Sequence, residues 1–393
     1  MLDHRYDSVM TPLNNDWYRL ADESSIATPA LLFYPERIDE NIARAIRIAG
    51  RVDRLRPHVK THKSPHVTAM MLRRGITRFK CATLGEARML ADAGASDVVV
   101  AYPLVGPNVG LFVSLIEKYT DTVFRALVET PEAVDALESA ASRAGCRVEV
   151  LVDLNVGMNR TGIEPGEHAV ALYRRIAEAS HLVPAGLHAY DGHIRESDFA
   201  RRREMTRPIV GAIYAMIETI CEGELEVPRV IAGGTPTFPC HAEVPDFELS
   251  PGTLFLHDWG YLESFPDLDF LPAALILGRV VSIPAPGLFT VDIGSKAIAS
   301  DPAGARGLIL NVPGAEPVGQ SEEHWVFRWD PDAADGAKAP KPGDPVYVLP
   351  RHICPSVDRH PVAHVVDGTG TVVAEWPITA RERRLTGLEA TTA

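Results

Sequence analysis

Leu55-Arg56-Pro57-His58-Val59-Lys60-Thr61-His62-Lys63-Ser64-Pro65 is a short apolar-to-basic run. It delivers a lysine between two histidines and then opens a helix. The stretch reads as the first strand, turn and helix start of a βα unit, and the same grammar continues downstream. Further strands are expected at Arg78–Thr83, Asp97–Tyr102, Val123–Val128, Val148–Asp153, Ala185–Tyr190, Arg229–Ala232 and Phe247–Ser250. Helical patterns such as Gly85–Ala93, Pro131–Ala144, Gly166–Ala179 and Asp198–Cys221 lie between them. Strands this uniformly apolar are buried on both faces, which implies a parallel sheet. Eight such units predict an α/β fold, a (β/α)₈ barrel rather than an open doubly wound sheet. No Gly-x-Gly-x-x-Gly follows a strand, so a dinucleotide-binding fold is excluded from the leading readings.

Past residue 270 the helical periodicity is lost. Ala273–Ile283, Gly287–Ile293, Pro345–Pro350, Val362–Val366 and Thr371–Trp376 read as strands of a separate β-domain, with Ala333–Pro342 an exposed loop. The expected division is an N-terminal extension at 1–27, a barrel at 28–265 and the β-domain at 266–393. The strand at Thr28–Tyr34 is expected to pair with the β-domain rather than to enter the barrel. The net charge of −13 disfavours nucleic-acid binding. No apolar run reaches membrane-spanning length, and the first residues lack the layout of a signal peptide. Five scattered cysteines point to a reducing compartment. The expectation is a soluble cytoplasmic enzyme with no nucleic-acid or membrane partner.

In barrels of this kind the chemistry sits at the carboxyl ends of the strands. Lys60 ends the first strand and is a candidate Schiff-base residue. Gly233-Gly234-Thr235 and Ser250-Pro251-Gly252-Thr253 follow the last two strands. There, glycine amides and threonine hydroxyls suit a phosphate; each is otherwise an ordinary turn. Arg160 ends a loop of small residues, placed either to bind a phenolate or carboxylate oxygen or to pair with a neighbouring acid. Tyr190 is placed to lie against an aromatic cofactor. His193, three residues on, is a candidate general acid or base, or a structural histidine. His352-Ile353-Cys354 follows a strand. In an extended segment residues two apart share a face, so His352 and Cys354 can grip one metal ion, with Zn²⁺ favoured; the alternative is an inert cysteine beside a surface histidine.

Arg56-Pro57-His58-Val59-Lys60-Thr61-His62-Lys63 resembles the cofactor-lysine motif of the fold-type III pyridoxal-phosphate enzymes, in their D-threonine aldolase and D-serine dehydratase-like group. Cys81-Ala82-Thr83-Leu84-Gly85-Glu86-Ala87, Gly186-Leu187-His188-Ala189-Tyr190, Gly233-Gly234-Thr235, Glu248-Leu249-Ser250-Pro251-Gly252-Thr253 and His352-Ile353-Cys354-Pro355 extend the resemblance over nearly the whole chain. It implies an alanine-racemase-like barrel binding pyridoxal 5′-phosphate, and a C-terminal β-domain with a metal site. It further implies that Lys60 carries the cofactor, that Thr235, Gly252 and Thr253 hold its phosphate, that Arg160 faces its phenolic oxygen and that Tyr190 lies by its ring. His352 and Cys354 would hold a divalent metal, Zn²⁺ or Mn²⁺. Thr83 stands where the aldolases carry a glutamine. A homodimer with shared active sites is implied.

The implied substrate is a small D-3-hydroxy amino acid, and two outcomes are open. β-Elimination gives a 2-oxo acid and ammonia. Retro-aldol cleavage, with a base such as His193, gives glycine and an aldehyde. In this family the aldolases carry His-x-Asp and the dehydratases His-x-Cys, so Cys354 leans toward elimination. Racemisation, or a non-catalytic cofactor-binding protein, are the remaining alternatives.

Overall fold

The computed structural model describes residues 16–330, 338–385 and 387–388. Residues 1–15 of the expected extension and 333–337 of the expected loop lie outside them. The chain divides into two compact units, residues 43–252 with the segment from 379, and residues 1–42 with 253–378.

The unit carrying Lys60 holds seven parallel strands in sequence order: β2 (Arg78–Cys81), β3 (Asp97–Val100), β4 (Val123–Val128), β5 (Val148–Leu154), β6 (Leu182–Ala189), β7 (Val230–Ala232) and β8 (Phe247–Leu249). Helices such as Leu84–Asp92, Pro131–Ala144, Glu167–Glu178 and Phe199–Glu222 connect them, as the apolar runs and intervening periodicities imply. The eighth expected strand is a looser piece. Leu55 bridges Leu249 and His58 bridges Lys80, so the segment touches both edges of the sheet and closes it, without a continuous ladder. Pro57 explains the break, because it brings no N–H to the ladder. A tight turn follows at Val59–Thr61, capped by the His58 ring accepting from the Lys60 N–H. Val99, Leu127, Leu151, Ala185 and Ile231, one from each of β3 to β7, pack together as a barrel interior.

The other unit is built on one sheet of nine strands. β1 (Ala30–Phe33) lies in it between β9 (Ala274–Ala285), antiparallel, and β15 (Val362–Val366), parallel. β10 (Leu288–Val291), β13 (Trp325–Trp329) and β12 (Ala315–Gln320) extend the sheet beyond β9, β14 (Pro345–Pro350) and β11 (Gly307–Ile309) branch from it, and β16 (Val372–Pro377) follows β15. Its core joins Tyr18, Leu20, Leu32, Tyr34, Leu275 and Tyr347. The expectation of no helix past residue 270 is corrected, since Ile353–Asp358 is helical. Six residues are too few to show a period. None of the described helices is long and apolar enough to cross a membrane.

Candidate active site

Lys60 sits in the turn at Val59–Thr61, at the carboxyl end of the barrel's first segment. Its Nζ lies 5.9 Å from the centre of the Tyr190 ring. Tyr190 comes directly after β6, and the Arg160 guanidinium lies 4.9 Å from the same ring. The ring is held by absence of side chains on its neighbours. A Cβ on Gly192 would collide with its Cζ, and one on Gly234 would meet its Cε2 at 2.9 Å. The structure therefore brings Lys60, Arg160, Tyr190 and the Gly234 loop together.

The two glycine loops are stitched to each other. The Gly252 N–H donates to the Thr235 hydroxyl at 3.2 Å, and a Cβ on Gly252 would meet the His58 carbonyl at 2.9 Å. The Gly234 N–H donates to the Thr237 hydroxyl. Thr237 in turn donates to Asp191 at 2.6 Å, and His241 Nε2 lies 2.7 Å from the other Asp191 oxygen. This buried Asp191–Thr237–His241 set fixes the loop that follows β7. It was not legible in the sequence, where Asp191 reads only as part of a strand end. The two loops bring the Gly234 and Gly252 amides and the Thr235 hydroxyl beside the Tyr190 ring, a donor set that fits the phosphate of a pyridoxal-phosphate group.

Lys80 was also missed. It is 2% exposed, and its register partner on β3 is Val99, a barrel-interior residue. Its Nζ lies 3.4 Å from His188 Nε2, and His188 Nδ1 lies 2.6 Å from Asp153 Oδ1. The tautomer that donates from Nδ1 leaves Nε2 to accept from Lys80. Thr161 donates to the second Asp153 oxygen. Burial first, then the charge of Lys60, lowers the Lys80 ammonium to about 7. Burial also lowers His188, against the pull of Asp153. For Asp153, burial alone would raise the carboxyl; His188, Thr161 and Lys80 outweigh it and hold it below the ordinary range. The signal available in the sequence was a lysine at interior parity between Phe79 and Cys81.

His193 is exposed. It lines a cavity of about 490 Å³ with Asn155, Glu164 and Met205, and its ring sits where a Cβ on Gly157 would be. Thr83 caps the helix Leu84–Asp92, accepting from the Glu86 N–H.

Thr253, His352 and Cys354 belong to the other unit. The pairing of His352 and Cys354 arises differently from the expectation of one extended face. His352 is extended, but Cys354 lies in the first turn of the helix Ile353–Asp358. The two side chains still meet. His352 hydrogen-bonds Cys354, its Nδ1 lies 2.6 Å from Asp301, and Cys354 Sγ lies 3.6 Å from the Thr253 hydroxyl. Among the described residues no group of three or more His, Cys, Asp or Glu is disposed to hold a metal ion. His352 and Cys354 thus offer one imidazole and one thiol, the donor types that zinc takes, without a third described ligand beside them.

Comparison with known proteins follows the same division. Residues 35–255 match the family "Alanine racemase, N-terminal domain", and residues 273–366 match "Putative serine dehydratase domain". The chain is 27% identical to D-threonine aldolase from Arthrobacter sp. over 364 residues, covering 91% of this chain and 93% of that one. It is 24% identical to D-threo-3-hydroxyaspartate dehydratase from Delftia sp., covering 88% and 96%. The crystal structure of D-threonine aldolase from Filomicrobium marinum superposes with a TM-score of 0.83 at 28% identity, over 91% of this chain and 95% of that one. The chain belongs to the alanine-racemase-like family of pyridoxal-phosphate enzymes, in the group of lyases that includes D-threonine aldolase, D-threo-3-hydroxyaspartate dehydratase and D-serine dehydratase.

Proposed function

We propose that this chain is a pyridoxal-phosphate- and metal-dependent lyase that removes the β-hydroxyl of a D-3-hydroxy amino acid, giving a 2-oxo acid and ammonia. Pyridoxal phosphate bound at Lys60 supplies an electron sink that labilises bonds at the substrate Cα. Arg160 and Tyr190 would orient the ring, and Thr235, Gly234, Gly252 and Thr253 would hold the phosphate. Lys60 Nζ would take the Cα proton. As the Cβ–O bond breaks, that proton is the one the departing hydroxyl needs to leave as water. Hydrolysis of the released enamine takes that water back and yields the 2-oxo acid and ammonia.

The observation that carries elimination is the contact of His352 with Cys354. Imidazole and thiolate suit Zn²⁺, a Lewis acid that makes hydroxide a better leaving group. A harder oxygen donor in place of Cys354 would suit Mn²⁺ instead. The second reading is retro-aldol cleavage to glycine and an aldehyde, with His193 as the base. The likeness to D-threonine aldolases over nine-tenths of the chain favours it.

Product analysis separates the two. D-serine, D-threonine and D-3-hydroxyaspartate are supplied to enzyme loaded with Zn²⁺ or Mn²⁺. Elimination yields 2-oxo acid and ammonia; glycine plus aldehyde selects the second reading. No turnover with either metal overturns both. Cys354→Ala is expected to lower bound metal and turnover together by more than about tenfold, since even an outer-shell change costs that much.

A further inference from the structure

Three cations converge on one aromatic ring in the Lys60 unit. Lys60 Nζ, Lys80 Nζ and Arg160 lie 5.9, 5.6 and 4.9 Å from the centre of Tyr190. Like charges this close repel unless an anion joins them. Lys80 is the most constrained of the three. It is buried, it forms no ion pair among the described residues, and its one hydrogen-bond partner there is His188 Nε2. An ammonium has three donors and no acceptor, so a buried one with a single partner is short of an oxyanion.

We propose that Lys80 is a ligand-binding residue that joins Arg160 in holding the acidic ring oxygen of a pyridoxyl ligand, with the His188–Asp153 pair as the positioning residues that hold Lys80 itself. The proposal rests on the cofactor reading above and adds a second lysine to it. The charged groups around Lys80 are Lys60 and His58 on one side, His188 and Asp153 on another, and Arg160 and Asp191 at the strand ends. Burial and Lys60 lower Lys80 to about 7, so at pH 8 it is mostly neutral in the free protein. An arriving oxyanion raises it again. Binding therefore takes up a proton at pH 8 and takes up little at pH 6.

The test uses the full chain stripped of cofactor and 4′-deoxypyridoxine 5′-phosphate, which keeps the phenol and phosphate but cannot bond to Lys60. Calorimetric titration in two buffers of different ionisation heat gives affinity and proton uptake, with no turnover needed. Lys80→Met is expected to weaken binding at least tenfold and to remove the pH 8 uptake. Lys80→Arg, which keeps a charge that cannot titrate, is expected to bind within about threefold of wild type, also without uptake. Asp153→Asn is expected to shift the pH at which uptake begins. Unchanged affinity and uptake in Lys80→Met, or retained uptake in Lys80→Arg if the Met variant does not fold, overturns the proposal and leaves the cofactor reading standing. A wild-type protein that does not bind the probe at any pH overturns the cofactor reading itself.

Discussion

Arg56 is fully buried, and its guanidinium is shared between Asp97 and Glu248, each at 2.6 Å. Arg125 adds a second contact to Asp97 and reaches Glu149. The set ties the loose first segment of the barrel to β3 and β8, on the side away from Lys60 that serves stability rather than chemistry. Removing Arg56 leaves Asp97 to Arg125 and Glu248 to the more exposed Arg78 and Arg229, so Arg56→Met is expected to destabilise by less than the about 3–5 kcal/mol of a wholly uncompensated buried charge. Burial alone would raise the Asp97 carboxyl, but Arg56 and Arg125 hold it below its ordinary range. A depressed carboxyl contributes stability in full above its unfolded pKa of about 4 and loses it as pH falls further. The gap in thermal midpoint between wild type and Arg56→Met should therefore close as the pH drops from 7 to 3. A gap that stays constant would remove Asp97 from the explanation. Lys60 was legible because the run from Arg56 to Lys63 that marks it is local in sequence. Lys80 was not, because His188, 108 residues away, meets it only when the barrel closes.

β1 shows what an element owes to its neighbours. Leu31, Leu32 and Phe33 have no exposed surface, because a sheet strand lies on each side. Four apolar residues far from the rest of their sheet in sequence carry all the pairing that joins β9 to β15. Leu32→Ala is expected to destabilise by about 2–5 kcal/mol, read as a lower urea midpoint, since the site is packed on both faces and collapses poorly. A loss below about 1 kcal/mol would show that β9 and β15 close over the gap. Elements with an unbroken apolar run were readable this way. β12 was not, since most of its residues are exposed and show no alternation. β13 has alternating buried Trp325 and Phe327, but a run of five between polar turns is too short to stand out. The first barrel segment was expected as a strand from Leu55 to Lys60 but forms only isolated bridges at Leu55 and His58, because Pro57, which a pattern of apolar residues does not weigh, interrupts the ladder.

The molecule as a whole is acidic, with a net charge of −13, yet the Lys60 unit gathers Lys60, Lys80 and Arg160 around one tyrosine. Crowding cations together is unfavourable for the empty protein and favourable once an anionic ligand arrives. Ligand binding must then appear as stability, by about 2.7 kcal/mol at a hundredfold excess over the dissociation constant. Added pyridoxal phosphate is expected to raise the thermal midpoint by several degrees. Borohydride should then make the rise survive dialysis and place the cofactor's mass on the Lys60 peptide. In Lys60→Ala the rise should last only while free cofactor remains, because the phosphate loops and Arg160 still bind it. A Lys60→Ala protein that keeps both the rise and the added mass after dialysis would move the covalent anchor to another lysine, and Lys80 is the one the barrel places closest to the same ring.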